Sequence, residues 1–535
     1  MYINKIPKKT KNKTHMSYLI RESCREDGKV KHRTIANLSR LPLELIEQIG
    51  QLLKGAKAVN FDDGTILKQK QGKAYGALKA VYEVANKLGI TKALGKGREG
   101  IIGLIMIAGI IISRRKSKNY LSRYWAKDEA IKEVLGFDKY YNEDDMYKAL
   151  KWISKEQGRI EKELWAEKSA AKAEKNKSLF LYDITSSYVE GEKNELAEYG
   201  YNRDKKQGKK QIVIGLMTDG EGDPISVEVF NGATRDNTTV AAQLKKAKEE
   251  FGIKEVIFVG DKGMLKSEQI EEITGEKWYY ITTITKPQIQ KLIKEDVLQY
   301  ELFDEKLCEV EENEERYILR KNPFRAEEIK KNLEAKIEWF ISKTDKRNEY
   351  LAGHPRATTE VALKNLKVLQ KQRNLEKFIE IEMDTREIIW KRDEEHIEEY
   401  LKLGGCYVIK KNVSKDMIDK ERVHKRYKAL EKVENDFKIL KTGFLEVRPI
   451  FVRKEAHIRG HVFACMLALK IVHYMEETLK PLNLPISAII DTLDKIQYRE
   501  IKVLDKATVK SLPTAYSERQ TQILNLLKIR FPVTL

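Results

Sequence analysis

Two apolar runs that each end in a single aspartate set the frame for what this chain can fold into. The first is LFLYDITSSYVEG at 179–191, where large apolar residues lead into Asp183; the second is EVIFVGDKGM at 255–264, where VIFVG leads into Asp261. Apolar runs this short, rich in β-formers, read as strands. A carboxylate at the end of such a strand is costly to bury unless something pairs with it. If the two strands are neighbours in one sheet, Asp183 and Asp261 converge, and two close carboxylates repel unless a cation lies between them. Oxygen ligands select a hard ion such as Mg²⁺ or Mn²⁺. Taken alone, Asp183 reads as readily as a turn former or cap.

The segments around the aspartates have a definite order. LFLYDI (179–184), QIVIGLM (211–217), the turn DGEGDP (219–224) and ISVEVF (225–230) read as an antiparallel meander. A helix follows from about Thr238 to Phe251 with Asp236 or Thr238 as its cap, then EVIFVGD (255–261), a helix near 267–274 and the strand WYYITT (278–283). That is the order of a mixed α/β sheet.

A third carboxylate comes from YKALEKVENDFKILKTGF at 427–444. Tyr427, Glu434 and Lys441 are spaced by seven, so on one helix they drift only ~20° per heptad and share a face. Lys438, four residues after Glu434, joins them. Leu430, Val433, Phe437, Leu440 and Phe444 form the adjoining apolar stripe, which presses the helix onto a core with Glu434 at its edge. By itself Glu434 reads as a solvated helix carboxylate paired with Lys438.

Composition narrows the partner. Lys and Arg number 101 against 82 Asp and Glu, a formal net charge of +19. Residues 1–40 hold eleven Lys or Arg and three acids, a local excess of +8, which favours a nucleic-acid contact over evenly spread charge. Charge alone leaves a solvated basic tail equally open. The four cysteines, Cys24, Cys308, Cys406 and Cys465, lie far apart and form no CxxC pair, which excludes a zinc knuckle or a disulfide framework and fits a reducing compartment. The N-terminal stretch MYINKIPKKTKNKTH has no apolar h-region, so no secretory signal is expected from it. The longest apolar stretch, IIGLIMIAGIIIS at 101–113, is shorter than the ~20 residues a membrane helix needs, and reads as a buried helix. The glycine-rich pieces DGEG and ALGKGREG lack the GxxxxGK[ST] spacing of a phosphate-binding loop. His457 and His461, at i and i+4 in HIRGH, lack the Glu of HExxH and read as helix-start residues that pack or touch phosphate.

Taken together, DITSSYVEG, VGDKG and the Tyr-Glu-Lys helix resemble the DDE transposases of bacterial insertion sequences, in the subgroup with a large insertion before the Glu and a Y-x2-R-x3-E-x3-K-x2-K helix motif. Tyr427 matches the Tyr position, Glu434 the Glu, and Lys438 and Lys441 the two Lys. Leu430 stands where the motif has Arg, which leaves Arg426 as the nearest substitute for a phosphate contact. The separations, 78 residues from Asp183 to Asp261 and 173 from there to Glu434, suit a catalytic core with an insertion domain.

The resemblance implies an α/β fold with a ribonuclease H-like catalytic core and a large α+β insertion, preceded by a basic β-hairpin and a helical domain. The expected divisions are a basic hairpin region at 1–60, a helical domain at 61–177, the core in two parts at 178–284 and 421–480, an insertion at 285–420, and a C-terminal helical region at 481–535. The polar segment AEKSAAKAEKNK (166–177) marks the first core boundary. The resemblance further implies two Mg²⁺ or Mn²⁺ ions on Asp183, Asp261 and Glu434, with Tyr427, Lys438, Lys441 and Arg426 on DNA phosphates. The chemistry implied is cleavage at transposon ends followed by 3′-OH attack on target DNA, by a homodimer assembled on DNA in the bacterial cytoplasm. Two other readings stay open: an inactive DNA-binding descendant of a transposase, with Leu430 as a sign of decay, and a haloacid-dehalogenase-type phosphohydrolase. The second wants DxD, and position 185 is Thr185.

Overall fold

The computed structural model describes residues 1–10, 13–26, 29–53, 68–71, 75–113, 118–170, 177–204, 206–276, 278–441, 445, 447, 450–497, 499–503, 507–511 and 516–531. At the N-terminus β1 (Tyr2–Thr10), β2 (Lys13–Glu26) and β3 (Lys29–Asn37) form a three-stranded antiparallel meander. The expected basic hairpin is thus its second half, with β1 added outside it. The Asp27–Gly28 turn lies outside the described residues. Ile20, Leu38, Leu45, Ile46 and Ile49 close a small core beneath helix Leu43–Leu53.

A short strand, β4 (Lys68–Gln71), precedes a helical region that includes Tyr75–Lys87, Arg98–Ser113 and the long helix Glu143–Ala170. Helix Arg98–Ser113 is apolar nearly all round and buried among its neighbours. Among the described residues no helix is long and apolar enough to cross a membrane. The polar stretch read as a boundary at 166 continues this last helix to Ala170 before the next strand begins at Lys177.

The centre of the molecule is an eight-stranded mixed sheet. Its strands are β5 (Lys177–Tyr188), β6 (Gln211–Asp219), β7 (Pro224–Phe230), β8 (Glu255–Val259), β9 (Tyr279–Thr283), β10 (Cys308–Glu312), β11 (Glu315–Lys321) and, after a hairpin of β12 (Ile379–Asp384) and β13 (Glu387–Arg392), β14 (Cys406–Lys411). The spatial order is β10-β11-β14-β9-β8-β5-β6-β7. β7, β6 and β5 are antiparallel, as the meander pattern predicts, while β5, β8 and β9 run parallel.

Every residue of β6 is buried, which explains its unbroken apolar run QIVIGLM: the sheet is covered on both faces. On one face Ile212, Ile214 and Leu216 meet a core shared with the helices Glu143–Ala170, Leu430–Lys441 and Glu455–Leu479. On the other, Val213 and Met217 join Val240, Leu244 and Ile273 of two shorter helices. The first layer is tight. A Cβ built on Gly460 would stand 2.1 Å from the Leu150 carbonyl oxygen, so helices Glu143–Ala170 and Glu455–Leu479 cross backbone against backbone and only glycine fits.

The segment expected as a separate insertion is divided. β10, β11 and β14 extend the main sheet, β14 pairing antiparallel with β9. Helices Pro323–Gly353 and Thr359–Gln372 pack with the β12–β13 hairpin around their own core of Leu333, Ile337, Phe340, Leu366 and Ile388. At the C-terminus β15 (Arg499–Val503) and β16 (Ala507–Ser511) join β4 in a three-stranded sheet. This end of the chain is therefore not helical throughout, although Ile486–Asp494 and Glu518–Leu526 are helices.

Candidate active site

The register of β5 on β8 places both aspartates. Leu181 pairs with Val259 in a parallel ladder, and Asp183 and Asp261 each stand two residues further on. Since side chains alternate along a strand, Asp183 projects from the same face as Leu181. That face belongs to the core that Val259, Leu430, Val433 and Phe437 share, so Asp183 points toward helix Leu430–Lys441. β5 continues beyond Asp183, pairing it with Leu216 of β6, whereas β8 ends at Val259 and Asp261 opens an exposed turn. The carbonyl of Asp261 accepts from the amides of Met264 and Leu265 at 2.9 and 3.1 Å, which ties that turn down.

Helix Leu430–Lys441 buries Leu430, Val433, Phe437 and Leu440 and leaves Glu434 and Lys438 exposed. The expected single helix is interrupted. Lys420–Lys428 ends at Ala429, a new helix starts at Leu430, and 442–444, including Phe444, lie outside the described residues. Despite the break, Tyr427, Leu430, Glu434, Lys438 and Lys441 all line one cleft of about 670 Å³ with Asp183 and Asp261. The three carboxylates read from the sequence are brought to one place.

Burial pushes the Asp183 carboxyl up to about 7, and the neighbouring Glu434 and Asp261 carboxylates push the same way, against the Ile184 amide and Arg203. At about 1.4 kcal/mol per unit this corresponds to a penalty on the order of 4 kcal/mol for the bare carboxylate. A cation between the three groups relieves it, and an all-oxygen donor set fits a hard divalent ion. Among the described residues no group of three His, Cys, Asp or Glu side chains is placed to hold a metal ion by itself, so an ion bound here would need further oxygens from elsewhere. That is the habit of Mg²⁺ beside substrate phosphates.

Tyr427 buttresses the Asp261 side. Its hydroxyl lies 2.9 Å from Thr283 Oγ1 on β9 and 3.5 Å from Asp261 Oδ1. Burial pushes this phenol up to about 12, with Asp261 adding to the shift and Thr283 opposing it. The phenol therefore stays protonated at neutral pH and has a hydrogen to offer the carboxylate.

The cationic residues read from the sequence separate into three situations. Lys438 is exposed in the cleft. Lys441 also lines it, but its Nζ is held 3.0 Å from Asp204 Oδ1 by a nearly buried ion pair. Arg426 is absent from the described lining and donates from Nη1 to the Gly220 carbonyl at 2.8 Å, pinning the helix to the β6–β7 turn. Leu430 is buried at the cleft wall. The His457 ring packs 5.1 Å from that of Tyr147.

Two lining residues, Arg203 and Asp204, were not singled out from sequence. They lie in the polar β5–β6 connection, where no period of hydrophobicity marks them, and the basic run RDKKQGKK is their sole signal. Arg203 Nη2 reaches Asp236 Oδ2 at 2.6 Å, and the amide of Arg203 donates to Ser186 Oγ at 3.0 Å.

Residues 3–63 match the family described as "IS1634 family transposase, N-terminal domain", and residues 174–471, more than half of the chain, match "Transposase DDE domain". No curated protein matches the chain. Among solved structures it is similar to a piggyBac transposase in a synaptic complex with hairpin DNA, determined by cryo-EM, at 9% identity and a TM-score of 0.37. That likeness spans 86% of this chain and 89% of the other.

Proposed function

Because the chain belongs to the DDE transposases of insertion sequences, and so is a DNA transposase, we propose that Asp183, Asp261 and Glu434 are its catalytic carboxylates. The observation that carries this reading is their convergence, from two adjacent parallel strands and one helix, on a single cleft. The order β7-β6-β5-β8-β9, antiparallel and then parallel, supports a ribonuclease H-like reading of this part of the sheet.

DDE transposases use divalent metal ions, and the three carboxylates suit two Mg²⁺ or Mn²⁺ ions. When bound, such ions activate the attacking oxygen and stabilise the leaving one. The chain's own groups do the rest. Lys438 holds a phosphate beside the scissile bond. Tyr427, fixed by Thr283, donates toward Asp261 and keeps that carboxylate turned into the cleft. Water attacks the phosphorus at the element's end and the bond to the 3′ oxygen breaks; the freed 3′-OH then attacks a phosphodiester of target DNA in the same cleft, joining to the target's 5′ phosphate as the bond to the target's own 3′ oxygen breaks and that oxygen leaves as a 3′-OH. No covalent enzyme intermediate is needed.

The N-terminal three-stranded sheet, carrying the +8 excess of residues 1–40, and the helical region after it are the proposed readers of the element's ends. The assembly proposed on paired ends is a homodimer, acting on nucleoid DNA in the cytoplasm. Thr185 stands where a dehalogenase-type phosphohydrolase carries a second aspartate, which weighs against that class.

Strand transfer tests the 3′-OH attack. A pre-cleaved element end with a 3′-OH should join to target DNA in Mg²⁺, and the same end with a 3′-deoxy terminus should not. Joining by both would refute 3′-OH attack.

A further inference from the structure

The connection between β5 and β6 carries a feature that the triad does not use. Tyr199 and Tyr201 are 67% and 82% exposed, among the most exposed large side chains described. Their backbone is nonetheless held firmly. Glu198 and Gln211 exchange both backbone hydrogen bonds, at 2.9 and 3.1 Å, and the Gln211 side chain donates to the Tyr201 carbonyl at 3.1 Å. Two rings are thus presented to solvent on a fixed mount, which keeps the entropic cost of engaging them low.

Cations interleave with these rings. The Arg203 guanidinium lies 5.5 Å from the Tyr201 ring centroid, Lys210 Nζ 5.8 Å from that of Tyr199, and Lys206 Nζ 6.0 Å from that of Tyr188. From 199 to 210 the sequence holds five Lys or Arg against one acid, Asp204, which pairs with Lys441; of the five, Arg203 pairs with Asp236 and Lys209 with Glu190. The same Arg203 lines the carboxylate cleft. A rigid aromatic surface edged with positive charge therefore continues directly from the proposed active site.

We infer that Tyr199 and Tyr201 form a stacking platform for unpaired nucleotides next to the scissile phosphate. The proposal rests on the active-site reading, because it is the cleft that fixes which nucleotides reach the rings. The physical reason for unpaired strand is that bases within a duplex cover each other's faces, so a ring can stack only on a base that has left the helix. Lys206 and Lys210 meanwhile hold the backbone on either side of it.

The test is equilibrium binding by the full chain in EDTA, where no cleavage occurs. The probes are a fully paired duplex of the element's own end with its flank, and the same duplex opened by a short mismatch at the junction, each with 2-aminopurine beside the junction. The wild type is expected to bind the opened probe more tightly and to quench its fluorescence. Tyr201→Ala should lose the quench and weaken the opened probe roughly ten-fold, with little effect on the paired one; Tyr201→Phe should restore both. Equal binding of the two probes by the wild type would overturn the platform. So would loss of affinity for both probes alike in Tyr201→Ala and in the Tyr199→Ala/Tyr201→Ala double variant. Cleavage that survives Asp183→Ala while the quench still depends on Tyr201 would sink the active-site reading and leave the platform standing.

Discussion

Asp183 and Asp261 each stand two residues beyond Leu181 and Val259, which face one another across the parallel β5–β8 ladder. The level of one aspartate thus dictates the level of the other. A shift of one residue in this register would turn Asp183 to the opposite face of the sheet, away from Glu434.

Tyr427 should matter through its hydroxyl. Tyr427→Phe removes the contact to Thr283 and the hydrogen offered to Asp261. We expect a stability loss of about 1 kcal/mol by denaturant titration and a several-fold fall in the cleavage rate. Tyr427→Ala should cost more on both counts, since the ring is also partly buried against the core.

Lys441 should behave as a structural residue. Its partner Asp204 also accepts from the Tyr188 amide at 3.1 Å, so the pair ties the β5–β6 connection to the helix bearing Glu434. Lys441→Ala takes this cation away from a nearly buried carboxylate, and we expect a loss of about 3 kcal/mol. The double variant Lys441→Met/Asp204→Asn should recover most of it. If Lys441 served DNA alone, the single variant would melt like the wild type.

Two residues after Glu434, Asp436 turns into the core and accepts from His473 Nε2 at 2.7 Å. Burial lowers the affinity of His473 for its proton, yet Asp436 outweighs this and raises it above the ordinary value; Asp223 and Glu476 act the same way. Burial raises Asp436 as well, with His473 opposing. Both folded-state values lie above those of the unfolded chain. The stability from His473 is therefore fully present below about pH 6.5 and is lost as pH rises through its folded value, and the raised Asp436 works in the same direction. Calorimetry should show the wild-type melting temperature falling over that interval, and a much flatter profile for His473→Gln.

Much of the core was legible because its signals are local. Period-two and unbroken apolar runs marked β5 to β9, and the Asp-terminated ends of LFLYDI and VIFVGD marked two of the three carboxylates. The i, i+3, i+7 stripe of Leu430, Val433 and Phe437 set the exposed face on which Glu434 stands. The break at Ala429 was hidden because the heptad spacing from Tyr427 to Glu434 survives it. What sequence alone withheld is long-range pairing. Nothing local says that β14 joins β9, or that β4 finds β15 more than four hundred residues away. Nor does anything local say that Lys441, which shares its motif with Lys438, spends its charge on Asp204.

The most direct measurement is strand cleavage of DNA carrying the element's own end, in Mg²⁺ or Mn²⁺, by the wild type and by Asp183→Ala, Asp261→Ala and Glu434→Ala. The account predicts metal-dependent nicking by the wild type and at least a hundred-fold loss in each variant, in line with the roughly 10²–10³ that removal of one charge-stabilising group costs, while each variant still binds the DNA. Cleavage that persists in any one of the three would contradict the claim that these carboxylates form a single catalytic site.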